Sequence, residues 1–172
     1  RLAPDCCIDW GGGEPTILPE YETLTNLVLD RGAKITLNTN ATLFSEATAR
    51  GLKSGQVSII CSVDSGTRET YRRVKGRDWF DRVWANLAKY AANGRVSAKY
   101  IFVNENCDEK DILGFVNLIE THGIRDVIIS RDLNQAWLSK EVLRGMALLA
   151  TECLRRKIQF QFQLACVTPV DR

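Results

Sequence analysis

A glycine-rich segment that ends in an acid, Trp10 to Pro15, is the strongest candidate for chemistry in this chain. It follows a short apolar run and precedes a helix-like segment, so it occupies the turn after a predicted strand. Three consecutive glycines let backbone carbonyls and amides approach a ligand with no side chain in the way. A phosphate-binding loop would end in Lys and Ser or Thr, whereas this segment ends in Glu14 and the rigid Pro15. The acidic ending favours a cationic ligand group, such as the ammonium of an amino acid.

Other polar side chains stand at the ends of further predicted strands. Ligands bind at the carboxyl ends of the strands in parallel α/β sheets and barrels, so we expect these side chains to share one site. The alternative is that polar residues simply populate loops and helix caps. The set comprises Glu14, Asn38 to Asn40, Ser62, Asp64, Asn104 to Asn106, Arg131 and Asp132.

Taken in chain order, these segments resemble the strand-end motifs of the radical S-adenosylmethionine (SAM) superfamily, and the resemblance covers most of the chain. Gly12-Gly13-Glu14-Pro15 matches the Gly-Gly-Glu-Pro motif that ends the second strand of that family. Leu37-Asn38-Thr39-Asn40 is similar to the Thr-Asn ending of its third strand. Ser62-Val63-Asp64-Ser65-Gly66 resembles the Ser-x-Asp-Gly ending of the fourth strand, with one serine inserted before the glycine. Asn106 resembles the Asn-containing turn after the fifth strand.

The resemblance implies roles for the residues after the first two predicted strands. It implies that Glu14 faces the ammonium of SAM, although an acid in a first turn also stabilises a helix. It implies that Thr39 and Asn40 bind the carboxylate or ribose of SAM, and the alternative is that they shape a turn.

The resemblance also implies roles for residues farther along the chain. It implies that Ser62 reaches the carboxylate or ribose, and that Asp64 orients it or binds the ribose hydroxyls, unless Asp64 is a helix cap. Asn106 either approaches the adenosine or is a turn residue. No catalytic residue is predicted. The predicted cofactor-binding residues are Gly12, Gly13, Glu14, Pro15, Thr39, Asn40, Ser62, Asp64 and Asn106.

The cysteines depart from the family pattern. The family holds its iron–sulfur cluster with Cys-x3-Cys-x2-Cys after the first strand, some tens of residues before Gly-Gly-Glu-Pro, and only five residues precede Cys6 here. The chain also begins at Arg1 without an initiator Met, so we expect a truncated piece that lacks the cluster loop. The resemblance implies SAM and a [4Fe–4S] cluster in the parent protein, whereas we expect no cluster in this chain. The six cysteines are Cys6, Cys7, Cys61, Cys107, Cys153 and Cys166.

Other uses of the cysteines are less favoured by the sequence. A cytosolic-looking α/β chain is expected to hold free thiols instead of a disulfide framework. Zinc is disfavoured, because no Cys-x2-Cys pair occurs and His122 is the only histidine.

The resemblance implies that the parent protein cleaves SAM reductively to a 5′-deoxyadenosyl radical, which abstracts hydrogen from an unknown substrate. The fragment alone is expected to be inactive. A second hypothesis is a non-catalytic α/β domain that binds a small molecule or a protein partner. A cofactor-free barrel enzyme is a weaker alternative, since no nucleophile–base pair is evident. The segment from Ser62 to Gly76 resembles the subgroup that carries an auxiliary-cluster domain and modifies peptides or metabolites.

Length and composition set broad limits on the protein. The 172 residues, 45% apolar and 26% charged, fit one globular domain over residues 1–172. No run of 18 apolar residues exists and no signal peptide is visible, so we expect a cytoplasmic protein without membrane contact. The net charge of +2 and basic clusters without interleaved aromatics give no clear nucleic-acid signal.

Short apolar segments alternate with amphipathic ones, which predicts βαβ units and a parallel sheet. The predicted fold is α/β, an incomplete parallel (β/α) barrel of the radical SAM type that lacks its first strand. Segment 6–10 is therefore expected to have an uncovered edge, and dimerisation through this edge is a secondary hypothesis. Strands are predicted at 6–10, 34–38, 57–63, 97–103, 126–130 and 158–164, the last at a sheet edge; helices are predicted at 20–31, 45–51, 78–93, 108–123 and 139–156, with at least one helical turn within 67–76.

Overall fold

A computed structural model describes residues 6–134 and 138–164. In this part of the chain, strands and helices alternate, with short 3-10 turns at Pro15–Ile17 and Asn104–Asn106. The strands are β1 (Cys7–Trp10), β2 (Lys34–Thr39), β3 (Val57–Ser62), β4 (Val96–Phe102), β5 (Asp126–Arg131) and β6 (Gln159–Gln163). The helices are α1 (Tyr21–Leu29), α2 (Glu46–Lys53), α3 (Arg68–Lys75), α4 (Phe80–Ala91), α5 (Glu109–Thr121) and α6 (Lys140–Arg155).

The strands form one open sheet in which each strand pairs in parallel with the next one along the chain. The predicted α/β fold with parallel strands in chain order is therefore confirmed. Among the described residues, β1 and β6 form the two edges, as the sequence predicts. All carboxyl ends lie along the same side of the sheet, which brings the loops after β1, β2, β3 and β4 next to each other.

The two faces of the sheet differ in chemistry, because side chains alternate across a strand. One face packs against the helices and is buried; it includes Leu37, Ile59, Cys61, Ala98 and Tyr100, each 0% exposed. The opposite face, called here the open face, is only partly buried at β2 to β4. It presents the alternate residues Thr36, Asn38, Ser58, Ile60, Ser62, Ser97, Lys99 and Ile101.

Helix ends follow from local sequence signals. The predicted caps Ser45, Asp108 and Ser139 each accept a hydrogen bond from a backbone amide of the helix that they begin. Helix α3 ends at Gly76, whose φ of 66° lies in the left-handed region that glycine adopts without strain. Observed boundaries differ from the predicted ones by one or two residues. No helix in the described ranges is long and apolar enough to cross a membrane.

Candidate functional site

The loop after β1 exposes bare backbone at the carboxyl edge of the sheet. Gly12 and Gly13 have φ angles of 82° and 144°, and no atom lies within 4 Å of where their Cβ atoms would be. Residues with side chains rarely adopt such angles, so the sequence needs glycine here. Pro15 is buried and begins the 3-10 turn that carries the chain toward α1.

The Glu14 carboxylate joins this loop to the end of β2. Its Oε1 accepts hydrogen bonds from the Thr16 hydroxyl at 2.5 Å, the Thr16 amide at 3.2 Å and the Thr39 hydroxyl at 2.8 Å. Its Oε2 accepts the Asn40 amide at 2.5 Å. No Lys or Arg of the described chain forms an ion pair with Glu14. The carboxylate is thus held in place by neutral donors.

Thr39 and Asn40 use much of their hydrogen-bonding capacity inside their own loop. The Thr39 hydroxyl donates to Glu14 and accepts from the Ala41 amide at 3.0 Å. The Asn40 carboxamide oxygen accepts from the amide and the hydroxyl of Thr42 at 2.9 and 2.7 Å. This is the turn-forming alternative considered from sequence, since both side chains stabilise the loop that presents Glu14.

Ser62 and Lys99 are neighbours on the open face. Ser62 ends β3 and is the register partner of Lys99 on β4. Within the described ranges, neither side chain has a hydrogen bond or an ion pair. Sequence reasoning missed Lys99, although apolar residues alternate with Ser97 and Lys99 along β4, a sequence signal that this lysine faces away from the helices. A hydroxyl and an ammonium at paired positions are both able to donate hydrogen bonds to an anionic group.

Asp64 is buried at 4% exposure and has a left-handed φ of 60°. Its Oδ1 accepts the Ile101 amide at 2.7 Å, and its Oδ2 accepts the Lys75 ammonium at 2.5 Å. Burial raises the pKa of this carboxyl above its usual value, and the Lys75 ammonium opposes that rise. The structure places the Asp64 side chain between β4 and α3, where it ties three elements together.

Asn106 is completely buried and bonded to backbone on all sides. Its amide nitrogen donates to the carbonyls of Asp64 and Ile101 at 3.0 and 2.9 Å, and its amide oxygen accepts the Val103 amide at 2.9 Å. The side chain therefore joins the loops after β3 and β4 and presents no free group to a ligand.

A second buried carboxylate, which sequence reasoning missed, fixes the loop after β3. Asp111 on α5 accepts from the Gly66 amide at 2.9 Å, from the amide and hydroxyl of Thr67 at 2.8 and 2.7 Å, and from the Tyr100 hydroxyl at 2.6 Å. A Cβ at Gly66 would come within 2.0 Å of the Asp111 carbonyl oxygen. The loop thus packs directly on the backbone of α5.

The described cysteines do not fit an iron–sulfur cluster. Cys61 faces the helices, and burial raises the pKa of its thiol; Cys7 is exposed, with its thiol 3.9 Å from the Thr36 hydroxyl on the open face. The Cys107 thiol donates to the Val103 carbonyl, and burial raises its pKa to about 11. In the described ranges, no group of three or more His, Cys, Asp or Glu residues is arranged to hold a metal. Cys166 lies outside these ranges.

One family of proteins matches most of this chain in sequence. The model of the Radical SAM superfamily matches residues 7–118. A probable GTP 3′,8-cyclase of Saccharolobus islandicus is 25% identical over 117 residues, which make up 67% of this chain and 38% of that protein. The chain thus spans well under half the length of this curated relative.

Solved structures share the fold. Streptococcus suis SuiB bound to S-adenosylmethionine superposes with a TM-score of 0.68 at 14% identity, over 93% of this chain and 38% of that chain. A domain of the pyruvate-formate lyase-activating enzyme from Bacteroides vulgatus gives a TM-score of 0.70 at 13% identity, over 91% of this chain and 98% of that domain. At such identities the likeness is one of fold alone.

Proposed function

The chain belongs to the radical SAM superfamily, and from this premise we propose that it binds the amino-acid end of SAM at the carboxyl ends of β1 to β4. The observation that carries the proposal is the placement of a negative and a positive side chain at the carboxyl ends of the strands. Glu14 stands after β1, and Lys99 lies on the open face of β4. An amino acid has an ammonium and a carboxylate that match these two charges.

The ammonium side of the proposed site is the loop after β1. Glu14 is immobilised by the donors of Thr16, Thr39 and Asn40, so its carboxylate is ordered before a ligand arrives. The exposed backbone of Gly12 and Gly13 offers carbonyl acceptors without steric obstruction. An ordered anion with nearby carbonyls is suited to an ammonium group, because no entropy is lost in arranging the acceptors.

The carboxylate side of the proposed site is formed by Ser62 and Lys99. The Glu14 carboxylate lies against the end of β2, because Thr39 and Asn40 donate hydrogen bonds to it. Strands in a sheet lie about 4.8 Å apart, so Lys99 on β4 is two strand spacings, or about 10 Å, from β2. The long lysine side chain and the ligand together bridge this distance. Charge-assisted hydrogen bonds from an ammonium to a carboxylate are stronger than neutral ones, which makes Lys99 the principal contact on this side.

The remaining predicted site residues support the site in this proposal and do not contact the cofactor. Thr39 and Asn40 hold Glu14, whereas Asp64 and Asn106 hold the ends of β3 and β4. Pro15 fixes the exit of the glycine loop.

SAM, when bound and reduced by the cluster that the family uses, supplies a 5′-deoxyadenosyl radical, while the protein supplies orientation and a dry cavity. In this proposal the described part of the chain supplies residues for SAM, and none of its His, Cys, Asp and Glu residues form a group of three or more that could hold a metal. We therefore propose that the chain contributes the SAM-orienting part of a radical SAM enzyme whose substrate is unknown. The non-catalytic hypothesis is not favoured, because the model of the Radical SAM superfamily matches residues 7–118.

Binding of SAM to the chain, measured by calorimetry or NMR titration, tests the proposal. Glu14→Gln and Lys99→Met are each expected to weaken binding about tenfold or more, since each removes a charged partner. Glu46→Gln and Lys53→Met serve as matched controls, because both residues are exposed on α2. Equal affinities for all four variants would contradict the proposal.

A further inference from the structure

The ion pair between Asp64 and Lys75 lies directly beside the proposed carboxylate site. The two side chains are 5% and 25% exposed, and the contact spans 2.5 Å from Nζ of Lys75 to Oδ2 of Asp64. The same carboxylate accepts the Ile101 amide of β4 through Oδ1. A single carboxylate therefore connects the end of β3, helix α3 and strand β4.

This connection continues the pairing of the two strands that carry the ligand contacts. Ser62 at the end of β3 pairs with Lys99; Ile101 lies two residues farther along β4, and Asp64 lies two residues beyond Ser62, in the loop after β3. The Val63 amide donates to the Lys99 carbonyl at 3.1 Å, and the bond from the Ile101 amide to the Asp64 side chain follows this backbone contact between the two segments. Asp64 has a left-handed backbone, a conformation that few residues other than Gly, Asn and Asp adopt.

We propose that Lys75 is a positioning residue for the cofactor site: by neutralising Asp64, it keeps Ser62 and Lys99 in the arrangement that binds the ligand carboxylate. This inference rests on the function proposed above. Lys75 itself lies on α3 and does not contact the ligand in this account; it acts through Asp64.

Two physical effects follow from removal of the Lys75 charge. A buried carboxylate without a counter-charge either takes up a proton or moves toward solvent, and both responses disturb its bond to Ile101. The charge of Lys99 also acts on Asp64, so Asp64 would then attract Lys99 away from the ligand. The titratable groups around Asp64 are Lys75 and Tyr71 of α3, Lys99 and Tyr100 of β4, and Cys61 of β3.

The test compares three lysine variants of this chain. Lys75→Met removes the charge and keeps the chain length, Lys75→Arg keeps the charge, and Lys53→Met removes a lysine from exposed α2. We expect Lys75→Met to raise the dissociation constant for SAM about tenfold, because the charge-assisted contact from Lys99 to the ligand carboxylate is then weakened. Lys75→Arg should restore most of the affinity, and Lys53→Met should leave it unchanged. Circular dichroism confirms that each variant is folded at the titration temperature.

A second readout needs no ligand. The Ile101 amide bonds to the Asp64 carboxylate, so its chemical shift reports the protonation of Asp64 across a pH titration. In Lys75→Met the transition is expected at higher pH than in the wild type, and in Lys75→Arg near the wild-type position. Folded Lys75→Met that binds SAM as tightly as the wild type would overturn the inference and leave the proposed function intact. Absence of SAM binding by the wild type would instead overturn the proposed function.

Discussion

The carboxylate of Glu14 accepts a hydrogen bond of 2.8 Å from the hydroxyl of Thr39, which joins the loop after β1 to the end of β2. Thr39 is 6% exposed and pairs with Cys61 in the middle of the sheet. The position of the Glu14 charge is therefore set by the sheet itself. A carboxylate on a free loop would have to be ordered at the moment of binding, at a cost in entropy.

Removal of the Thr39 hydroxyl is expected to weaken both the fold and ligand binding. Thr39→Val leaves Glu14 with one donor fewer and the Ala41 amide without its acceptor, which should cost about 1 to 3 kcal/mol of unfolding free energy. Thr39→Ser keeps the hydroxyl, so its free energy of unfolding should fall by less than that of Thr39→Val. Urea denaturation measures the stability, and a SAM titration measures the affinity. Thr151→Val, on the exposed surface of α6, is the control. Thr39→Val with wild-type values in both measurements would show that Glu14 is ordered without Thr39.

Two glycines are expected to respond differently to alanine. At Gly66 a Cβ would lie 1.9 Å from the backbone nitrogen of Phe115, so Gly66→Ala must separate the loop after β3 from α5. We expect a loss of about 3 kcal/mol or more. Gly55 has a φ of 76° but open space around its Cβ position, so Gly55→Ala should cost only the left-handed strain of about 1 to 2 kcal/mol.

Urea midpoints of the two alanine variants measure this difference. A failure of Gly66→Ala to fold agrees with the expectation. In that case Gly114→Ala is the milder substitution, because its Cβ would lie 2.6 Å from the Gly66 carbonyl oxygen, and its free energy of unfolding can be measured instead. Equal stability of Gly66→Ala and Gly55→Ala would contradict the close packing of the loop on α5.

Stability is expected to fall in mild acid because of His122, the only histidine of the chain. Its ring stacks on buried Trp84 at 5.6 Å, and burial lowers the pKa of the imidazole below its usual 6.5. The unfolded chain then takes up a proton more readily than the native protein. The stability that depends on a neutral His122 is therefore fully present above pH 6.5. It is lost as the pH falls through that value toward the lower pKa of His122 in the native protein.

The pH dependence is measured by urea denaturation between pH 7.5 and 5. His122→Phe keeps an aromatic ring against Trp84 and removes the titration, so its stability should decline less over this range. The native pKa of Asp64 is raised, so Asp64 changes the stability with pH in the opposite direction. Its effect is the same in the wild type and in His122→Phe and therefore cancels when the two proteins are compared. A wild type that keeps its full stability at pH 5 relative to His122→Phe would contradict the expected sign.

Much of the fold could be predicted from sequence because its signals are local. The segment 57–63 is almost wholly apolar, which predicts β3, and Ser45 precedes its helix by one position. The glycines before Glu14 mark a loop with bare backbone from their residue type alone. Each of these features depends on neighbours within one turn or one strand.

The parts of the site that could not be predicted depend on distant partners. Asp111 meets Gly66 from 45 residues away, and the contact exists only because α5 packs on the loop after β3. Asn106 was recognised as a residue of the right type, but its complete burial follows from the approach of two loops. The role of Asp64 as an acceptor for Ile101 required the register of β3 against β4.

The most direct test of the account is an NMR titration of the isotopically labelled chain with SAM. Chemical-shift changes are expected to concentrate at Gly12 to Glu14, at Ser62 and at Lys99. Glu14→Gln should weaken this response, whereas Glu46→Gln should not. Shift changes confined to the amino ends of the strands, or no changes at millimolar SAM, would contradict the placement of the cofactor at the carboxyl ends of β1 to β4.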